Sequence, residues 1–241
     1  MKKFLTAKWQ DLIMANYKVD PSLFDDLVPH GTELDLYQGD CYLSLVAFKF
    51  VDTAVMGIKI PFHTNFEEIN LRFYVERKVL EETRRGVVFV KEIVPRSAIC
   101  AVANAVYGEN YERWNTAHED SANGYKYFWS RGGCENSIEV EHKESRGVPA
   151  DGSREAFIIE HYWGYTKRGE HRTDEYLVEH PKWELFDVNY AEIDVDFAET
   201  YGDRFDFLSD TQPDSVLLAK GSEISVYRGQ RMSGATVGVG A

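Results

Sequence analysis

Residues 69–76 alternate strictly between apolar and mostly polar side chains, and the mostly polar face extends back to residue 66. Because successive side chains of a β-strand point to opposite faces, this alternation predicts one strand with two different faces. The apolar face comprises Ile69, Leu71, Phe73 and Val75. The other face comprises Phe66, Glu68, Asn70, Arg72 and Tyr74. We expect the apolar face to pack outward against other elements of the fold.

The second face of this strand has two interpretations. A half-buried strand commonly turns such a face to water. Here, however, Phe66 and Tyr74 bracket the polar side chains, which is unusual for a freely solvated face. Glu68 and Arg72 are too far apart on the strand to pair comfortably with each other, and a charge in a dry space needs a partner. We therefore predict that Glu68, Asn70 and Arg72 point inward and line one cavity.

Strand patterns also dominate the rest of the chain, and helix signals are few. We predict further strands at 41–50, 87–94, 125–130, 137–143, 155–166, 171–179, 183–193, 215–220 and 223–227. Asp20 and Pro21 predict a short helix near the N-terminus, since Asp caps helices and Pro suits their first turn. Many strands and no long linker indicate a mainly β, barrel-like single domain over residues 1–241, with a frayed tail at 230–241.

One stronger helix is predicted between the strands, over residues 95–107. Pro95 lies near its start and Gly108 follows its end. Its apolar residues recur at helical spacing. They are Ala98, Ile99, Val102 and Val106, and we expect them to form a buried face docked against the sheet.

Charge and cysteine content limit the partners and the compartment. The formal net charge is −13, which repels phosphate backbones and anionic lipids, so we expect no nucleic-acid or membrane partner. No apolar run approaches the length of a membrane span, and no signal peptide is expected. The three cysteines, an odd number without CxxC spacing, indicate reduced thiols and a cytoplasmic location.

Motifs that bind cofactors or metals are absent from the sequence. It contains no glycine-rich phosphate loop, no GxSxG and no HExxH. The histidines are scattered, and although His161, His171 and His180 could converge across a hairpin, such residues are mostly structural. We predict no cofactor and no metal.

The pattern FxExNxRxY over residues 66–74 resembles the signature of the YqjF-like family, which is placed in the acetoacetate decarboxylase-like superfamily. The resemblance runs over about residues 9–227. Supporting stretches are Val19-Asp20-Pro21, Leu27-Val28-Pro29, Glu33-Leu34-Asp35, Gly86-Val87-Val88-Phe89, Glu160-His161-Tyr162, His180-Pro181-Lys182-Trp183 and Ala219-Lys220-Gly221-Ser222. The family more often has Arg at the position of His161.

The resemblance implies a closed or cone-like antiparallel β-barrel around a cavity, acetoacetate decarboxylase-like, with one central helix and a short N-terminal helix. In the decarboxylase, a lysine just after the central helix forms a Schiff base with a keto acid. Tyr111 falls at that position here, and Glu68 falls where a substrate-facing glutamate would be. A phenol cannot form an iminium, so we expect no Schiff base at this position.

The predicted site therefore consists of Glu68, Asn70, Arg72, Tyr74 and Tyr111. We expect it to bind a small carboxylate or carbonyl compound, with Arg72 holding an anion. One alternative is an enzyme that uses Glu68, Arg72 and Tyr111 for proton transfer, with Glu68 and Tyr111 as the catalytic candidates. Another is a non-catalytic structural or interaction protein. The sequence leaves open whether the chain forms a homo-oligomer.

Lysines elsewhere in the sequence could supply a displaced amine. Lys91 lies inside the apolar run 87–94, in register with Phe89 and Ile93. Buried lysines lose part of their basicity, but such residues more often reach water at a strand edge. The same holds for Lys49 and Lys59.

Overall fold

The computed structural model describes residues 2–232, and β-strands make up most of them. The strands are β1 Lys3–Val19, β2 Glu33–Leu34, β3 Cys41–Val55, β4 Phe66–Val79, β5 Glu82–Val94, β6 Tyr111–Arg113, β7 Asn115–Asp120, β8 Gly124–Arg131, β9 Cys134–Gly147, β10 Trp163–Gly169, β11 Arg172–Glu179, β12 Leu185–Asp194, β13 Ser215–Tyr227 and β14 Gln230–Arg231. The helices are α1 Ser97–Val106, α2 Arg154–Ile159 and α3 Phe197–Tyr201, with 3-10 helices at Pro21–Phe24 and Asp203–Asp210. The predicted mainly β class is confirmed.

Within the described residues, seven strands close into a ring in the order β1, β3, β4, β5, β10, β11 and β13. Neighbouring strands of the ring are antiparallel except β5 and β10, which run parallel. From β13 the sheet continues outside the ring through β12, β9, β8 and β7. The predicted barrel is thus confirmed, with one parallel pairing that the strand patterns did not indicate.

The strand β4 separates two apolar cores. Ile69, Leu71 and Phe73 belong to an outer core, together with Trp129 of β8 and Phe197 of α3. The side chains of the opposite face point into the ring, where Phe66 and Tyr74 join a second core. The predicted division of β4 into an outward apolar face and an inward mixed face is confirmed.

Strand β1 is the longest element that the sequence patterns did not predict. Ile13, Ala15 and Tyr17 belong to the outer core, whereas Leu12 and Met14 belong to the inner one. A strand that is buried on both faces has no alternation of apolar and polar residues, so its sequence carries no periodic signal.

The predicted strand over residues 155–166 is wrong in its first half. Residues Arg154–Ile159 form α2, and β10 begins only at Trp163. Ser153 caps the helix, because its hydroxyl accepts a hydrogen bond from the Ala156 amide over 3.1 Å. The cap and the burial of Phe157, Ile158 and Ile159 outweigh the β propensity of the isoleucines.

The two short strands predicted at 215–220 and 223–227 are one strand, β13. Gly221 joins them with a φ of 77°. A Cβ atom there would lie 2.0 Å from the backbone oxygen of Trp9 on the neighbouring β1. Glycine therefore allows both the left-handed conformation and the close approach of β1.

The docking predicted for the central helix is wrong. In α1, Cys100 is buried, whereas Val102 is 46% exposed and Ala98 is exposed as well. Ile99 and Val106 are half-buried. The apolar side chains Ala98, Ile99 and Val102 line a cavity rather than the sheet, so this helix covers an open space.

The ends of the chain differ from the expectation in part. The short N-terminal helix forms as the 3-10 helix Pro21–Phe24. Asp20 Oδ1 accepts a hydrogen bond from the Ser22 amide over 2.9 Å. Of the tail expected to fray, Gln230 and Arg231 pair with β11, and residues 233–241 lie outside the described part. The helices of residues 2–232 are all too short or too polar to cross a lipid bilayer.

Candidate functional site

A cavity of about 210 Å³ lies inside the ring of strands. It is smaller than the roughly 300–1,000 Å³ typical of pockets for drug-sized ligands. Strand β4 contributes Glu68, Asn70 and Arg72 to its wall. The predicted inward orientation of these three side chains is confirmed.

Most of the remaining wall is apolar. Aromatic side chains are prominent in it, including Trp9, Phe50, Phe66, Trp163, Tyr176 and Trp183. On one side the wall consists of α1 and the connection between β3 and β4. Val102 and Ile58 of that side are 46% and 67% exposed, so the cavity opens to solvent there.

Glu68 and Tyr111 meet in the cavity although 43 residues separate them. Tyr111 starts β6, which pairs in parallel with β5. Its hydroxyl donates to Glu68 Oε2 over 3.1 Å, and the Asn70 amide donates to Glu68 Oε1 over 3.0 Å. Both carboxylate oxygens of Glu68 therefore have partners, and the residue is only 3% exposed.

Two further buried carboxyl groups, Glu92 and Glu109, face the same cavity and were not predicted. Glu92 lies opposite Asn70 on β5. Tyr111 lies close enough to Glu92 to affect its pKa. Glu109 accepts a hydrogen bond from the Thr166 hydroxyl over 2.7 Å.

A bulge explains why the sequence pattern missed Glu92. The pairing of β4 with β5 shifts by one residue between Leu71 and Arg72. As a result Phe89 and Glu92 both face the cavity, although they are three residues apart. Lys91 points away from the cavity, so its predicted alignment with Phe89 is wrong. The sequence did contain a signal for Glu92, because a charged residue inside an apolar strand requires a partner or a site.

Burial sets the protonation of this carboxyl cluster. It raises the pKa of Glu68 to about 7, and it raises the pKa of Glu109 to about 7. The pKa of Glu92 rises well above its usual value because of burial first and the nearby Glu109 and Glu68 second. Burial and these carboxylates also raise the pKa of Tyr111. The cluster therefore holds protons near neutral pH.

The Tyr111 hydroxyl carries one hydrogen, which it donates to Glu68. Glu92 lies near both groups, so Glu68, Tyr111 and Glu92 form one cluster on the cavity wall. Within residues 2–232, no three His, Cys, Asp or Glu side chains are arranged to hold a metal ion.

Arg72 is a buried cation without a counter-ion. It is 9% exposed, and its Nε atom has no hydrogen-bond partner. Its nearest polar contact is from Nη2 to the Met14 sulfur, at 3.9 Å. The guanidinium lies 5.8 Å from the centre of the Tyr74 ring. Among the described residues, no carboxylate forms an ion pair with it.

The structure does not bring Tyr74 to the cavity wall. Its hydroxyl lies 2.7 Å from the Ser44 hydroxyl, which in turn donates to Asn16 Oδ1 over 2.6 Å. The Tyr74 ring contacts the His161 ring at 4.6 Å. The Tyr74 ring thus packs near the guanidinium of Arg72 without lining the cavity. The other four predicted site residues do line it.

An aspartate–histidine pair that the sequence analysis did not assign lies at the cavity, and its His161 is part of the cavity wall. His161 Nε2 lies 3.0 Å from Asp35 Oδ2. The same oxygen accepts a hydrogen bond from Arg85 Nε over 2.6 Å. Burial lowers the pKa of His161 to about 4 and outweighs the opposite effect of Asp35. His161 is therefore neutral at neutral pH. Both stretches stood out in the family resemblance, but only the fold brings them together.

None of the described lysines lines the cavity. The Nζ atoms of Lys49, Lys59 and Lys91 lie 2.7 Å from Asp11, 2.6 Å from Asp52 and 3.0 Å from Glu112, respectively. Burial opposes the charge of Lys49, but its hydrogen bonds to Asp11 and Asp120 outweigh burial and raise its pKa. A raised pKa disfavours the neutral amine that a Schiff base requires.

The raised pKa of Glu68 predicts a pH-dependent stability. Because the folded-state pKa of about 7 exceeds the roughly 4.3 of an unfolded glutamate, the stabilising contribution is complete below about pH 4 and is lost as pH rises through 7. Glu68→Gln removes this titration. Between about pH 5 and 8, we expect the wild type to lose on the order of 2 kcal/mol more unfolding free energy than Glu68→Gln.

Urea denaturation at the two pH values measures this difference. Glu141→Gln, at an exposed position on β9, is the matched control and should lose as much stability as the wild type. Equal losses in the wild type and Glu68→Gln would show that Glu68 is not buried in a dry cavity.

The sequence matches one family model and one individual protein. Residues 6–223 match the family model DUF2071, described as "Uncharacterized conserved protein (COG2071)". Over 71 residues the chain is 37% identical to the uncharacterized protein YqjF of Bacillus subtilis (strain 168). That second match covers 29% of this chain and 29% of YqjF.

Solved structures share the fold at low sequence identity. Acetoacetate decarboxylase from Legionella pneumophila subsp. pneumophila str. Philadelphia 1 has a TM-score of 0.68 at 10% identity, over 96% of this chain and 88% of that one. The enduracididine biosynthesis enzyme MppR complexed with pyruvate has a TM-score of 0.64 at 12% identity, over 97% and 91%. An acetoacetate decarboxylase-like enzyme from Sphingomonas wittichii RW1 has a TM-score of 0.64 at 10% identity, over 97% of this chain and 94% of that one.

These similarities confirm the acetoacetate decarboxylase-like fold that the resemblance predicted. At identities of 10–12% they show the fold alone. The family model covers nearly the whole described chain. The chain therefore belongs to the DUF2071 family of conserved proteins.

Proposed function

We propose that this protein binds a small organic acid in its cavity, with Arg72 holding the carboxylate. The observation that carries this proposal is the buried guanidinium without a counter-ion. A charge that leaves water without a partner is costly, and a carboxylate would compensate it through two parallel hydrogen bonds. The apolar wall suits the hydrocarbon part of such a ligand.

Unpartnered polar atoms favour a binding site over a purely structural network. Besides Arg72 Nε, the buried atoms Asn70 Oδ1 and Glu92 Oε2 have no partner. A network that serves only to stabilise a barrel satisfies its members, because each unsatisfied buried group costs free energy. Three such atoms on one cavity wall support a ligand that completes them.

The ligand is held without a covalent bond. Tyr111 occupies the position where the resemblance implies a reactive lysine, and the described lysines lie outside the cavity wall. Decarboxylation through an iminium is thus outside the proposal. MppR was solved with pyruvate, so a structure of this fold holds a small oxo acid, which supports the same class of ligand here.

Proton transfer on a bound carbonyl compound is a second candidate function. The observation that favours it is the hydrogen bond from Tyr111 to Glu68, with Glu92 nearby, because these groups place a proton donor and a proton acceptor side by side on the cavity wall. A carboxyl group with a pKa of about 7 is also suited to act as a general base near neutral pH.

Hydrogen exchange tests this second function. If Glu68 removes a proton next to the carbonyl, the C3 hydrogens of 2-oxopentanoate exchange with deuterium oxide faster in the presence of protein. We expect Glu68→Gln to slow the exchange, followed by NMR, by about a hundredfold. Equal rates with wild type, Glu68→Gln and no protein would restrict the function to binding.

Binding of 2-oxopentanoate tests the first function directly. We expect Arg72→Ala to weaken binding by about ten- to a hundredfold, because it removes a charge-assisted hydrogen bond, and Tyr111→Phe to weaken it less. Calorimetric titration measures both. Arg131→Ala, at an exposed arginine, is the control and should bind as the wild type does. The opposite ranking of the first two variants would mean that Tyr111 anchors the ligand.

The same complexes should stay noncovalent. After borohydride treatment in the presence of 2-oxopentanoate, we expect the intact mass of the protein to be unchanged. An adduct mapped to Lys49, Lys59 or Lys91 would show that a reactive amine exists at another position and would contradict the proposed mode of binding.

A further inference from the structure

Two buried oxygen atoms on neighbouring strands of the cavity wall have no hydrogen-bond partner in the described part of the protein. They are Asn70 Oδ1 on β4 and Glu92 Oε2 on β5, in residues that are 1% and 2% exposed. The two residues are directly paired in the strand register, which places their Cβ atoms about 4.5–5.5 Å apart. Leaving both acceptors dry and unpaired is unfavourable, so the ligand of this cavity should supply a donor to each.

Several acidic groups lie around Glu92. Glu68 faces it from β4, Glu109 and Tyr111 face it from the segment after α1, and Cys100 faces it from α1 itself. The charges of Arg72 and Arg168 act on Glu68 and Glu109, but within residues 2–232 no lysine or arginine forms an ion pair with any of the three carboxyl groups. Carboxyl groups without a paired cation create a site that favours positive charge.

A neutral donor would satisfy this end of the cavity only in part. A hydroxyl group has one hydrogen, and a primary amide has two but brings no charge to the carboxyl cluster. A protonated amine or another cationic nitrogen offers several hydrogens, and its charge also compensates the carboxyl cluster. The chemistry at this end is therefore complementary to that of Arg72 at the other.

The strand geometry sets the distance between the two ends. Asn70 and Arg72 lie two residues apart on one face of β4, and a strand rises about 3.3 Å per residue. The unpartnered donor and the unpartnered acceptors are thus roughly 7 Å apart along the wall. A carboxylate and a nitrogen joined by three to five methylene groups span such a distance.

We infer that the organic acid bound in this cavity also carries a cationic nitrogen, with its carboxylate on Arg72 and its nitrogen on Asn70 and Glu92. This inference rests on the proposed function, because it assumes that Arg72 holds the carboxylate. It narrows the ligand class to amino acids whose two charged groups lie at opposite ends of a short chain.

Matched pairs of small molecules test the inference. The probes are 4-aminobutanoate, 5-aminopentanoate and 6-aminohexanoate, each titrated beside the acid of the same length without the nitrogen. We expect at least one amino acid to bind about tenfold or more tightly than its partner acid. In Glu92→Gln we expect this advantage to disappear, whereas in Glu141→Gln, at an exposed position, we expect it to persist.

Proton release gives a second readout that a merely structural role of Glu92 would not produce. A cation next to the protonated cluster displaces a proton, so titrations in phosphate and in Tris should differ in apparent enthalpy for the amino acid but not for the plain acid. Glu141→Gln, at an exposed position, should preserve the difference, and Glu92→Gln should reduce it.

The outcomes separate this inference from the proposed function. If the plain acids bind through Arg72 and no amino acid binds more tightly, the proposed function stands and the cationic nitrogen is refuted. If neither kind of molecule binds, the proposed function fails and the inference fails with it. Unfolding curves serve as the folding control, and we expect Glu92→Gln to be folded because a protonated carboxyl group is replaced by a neutral amide of similar shape.

Discussion

Burial of β4 on both faces is the constraint on which the rest of the molecule depends. Its outer face joins the core beneath β8, β9 and α3, and its inner face forms the wall of the cavity. The strand cannot shift by one residue, because the shift would place Arg72 in the outer core and Leu71 against the carboxyl cluster. The position of the site is therefore fixed by the same contacts that hold the fold.

The cavity combines two features that proteins usually avoid. One is a buried cation without a counter-ion, and the other is a group of carboxyl groups that burial keeps protonated. Arg72 and Glu68 are near enough for the charge of one to lower the pKa of the other, yet they form no ion pair. A buried cation without a counter-ion is unfavourable, and a ligand with complementary ends can recover that free energy.

The sequence predicted the cavity-facing side chains of β4 because that strand alternates without interruption. It did not predict Glu92, since the bulge in β5 breaks the simple alternation and only the observed register pairs Glu92 with Asn70. It did not predict β1, whose two buried faces leave no pattern. The helical spacing in α1 was read correctly as a helix, but spacing alone cannot tell a packed face from one that covers a cavity.

The most direct test of the account is a crystal structure of the protein grown with 2-oxopentanoate. We expect electron density for 2-oxopentanoate inside the ring of strands, with both of its carboxylate oxygens about 3 Å from Nε and one Nη of Arg72. A structure in which the cavity is filled by rearranged side chains, with Arg72 paired to Glu68 or another carboxylate of the protein, would contradict it.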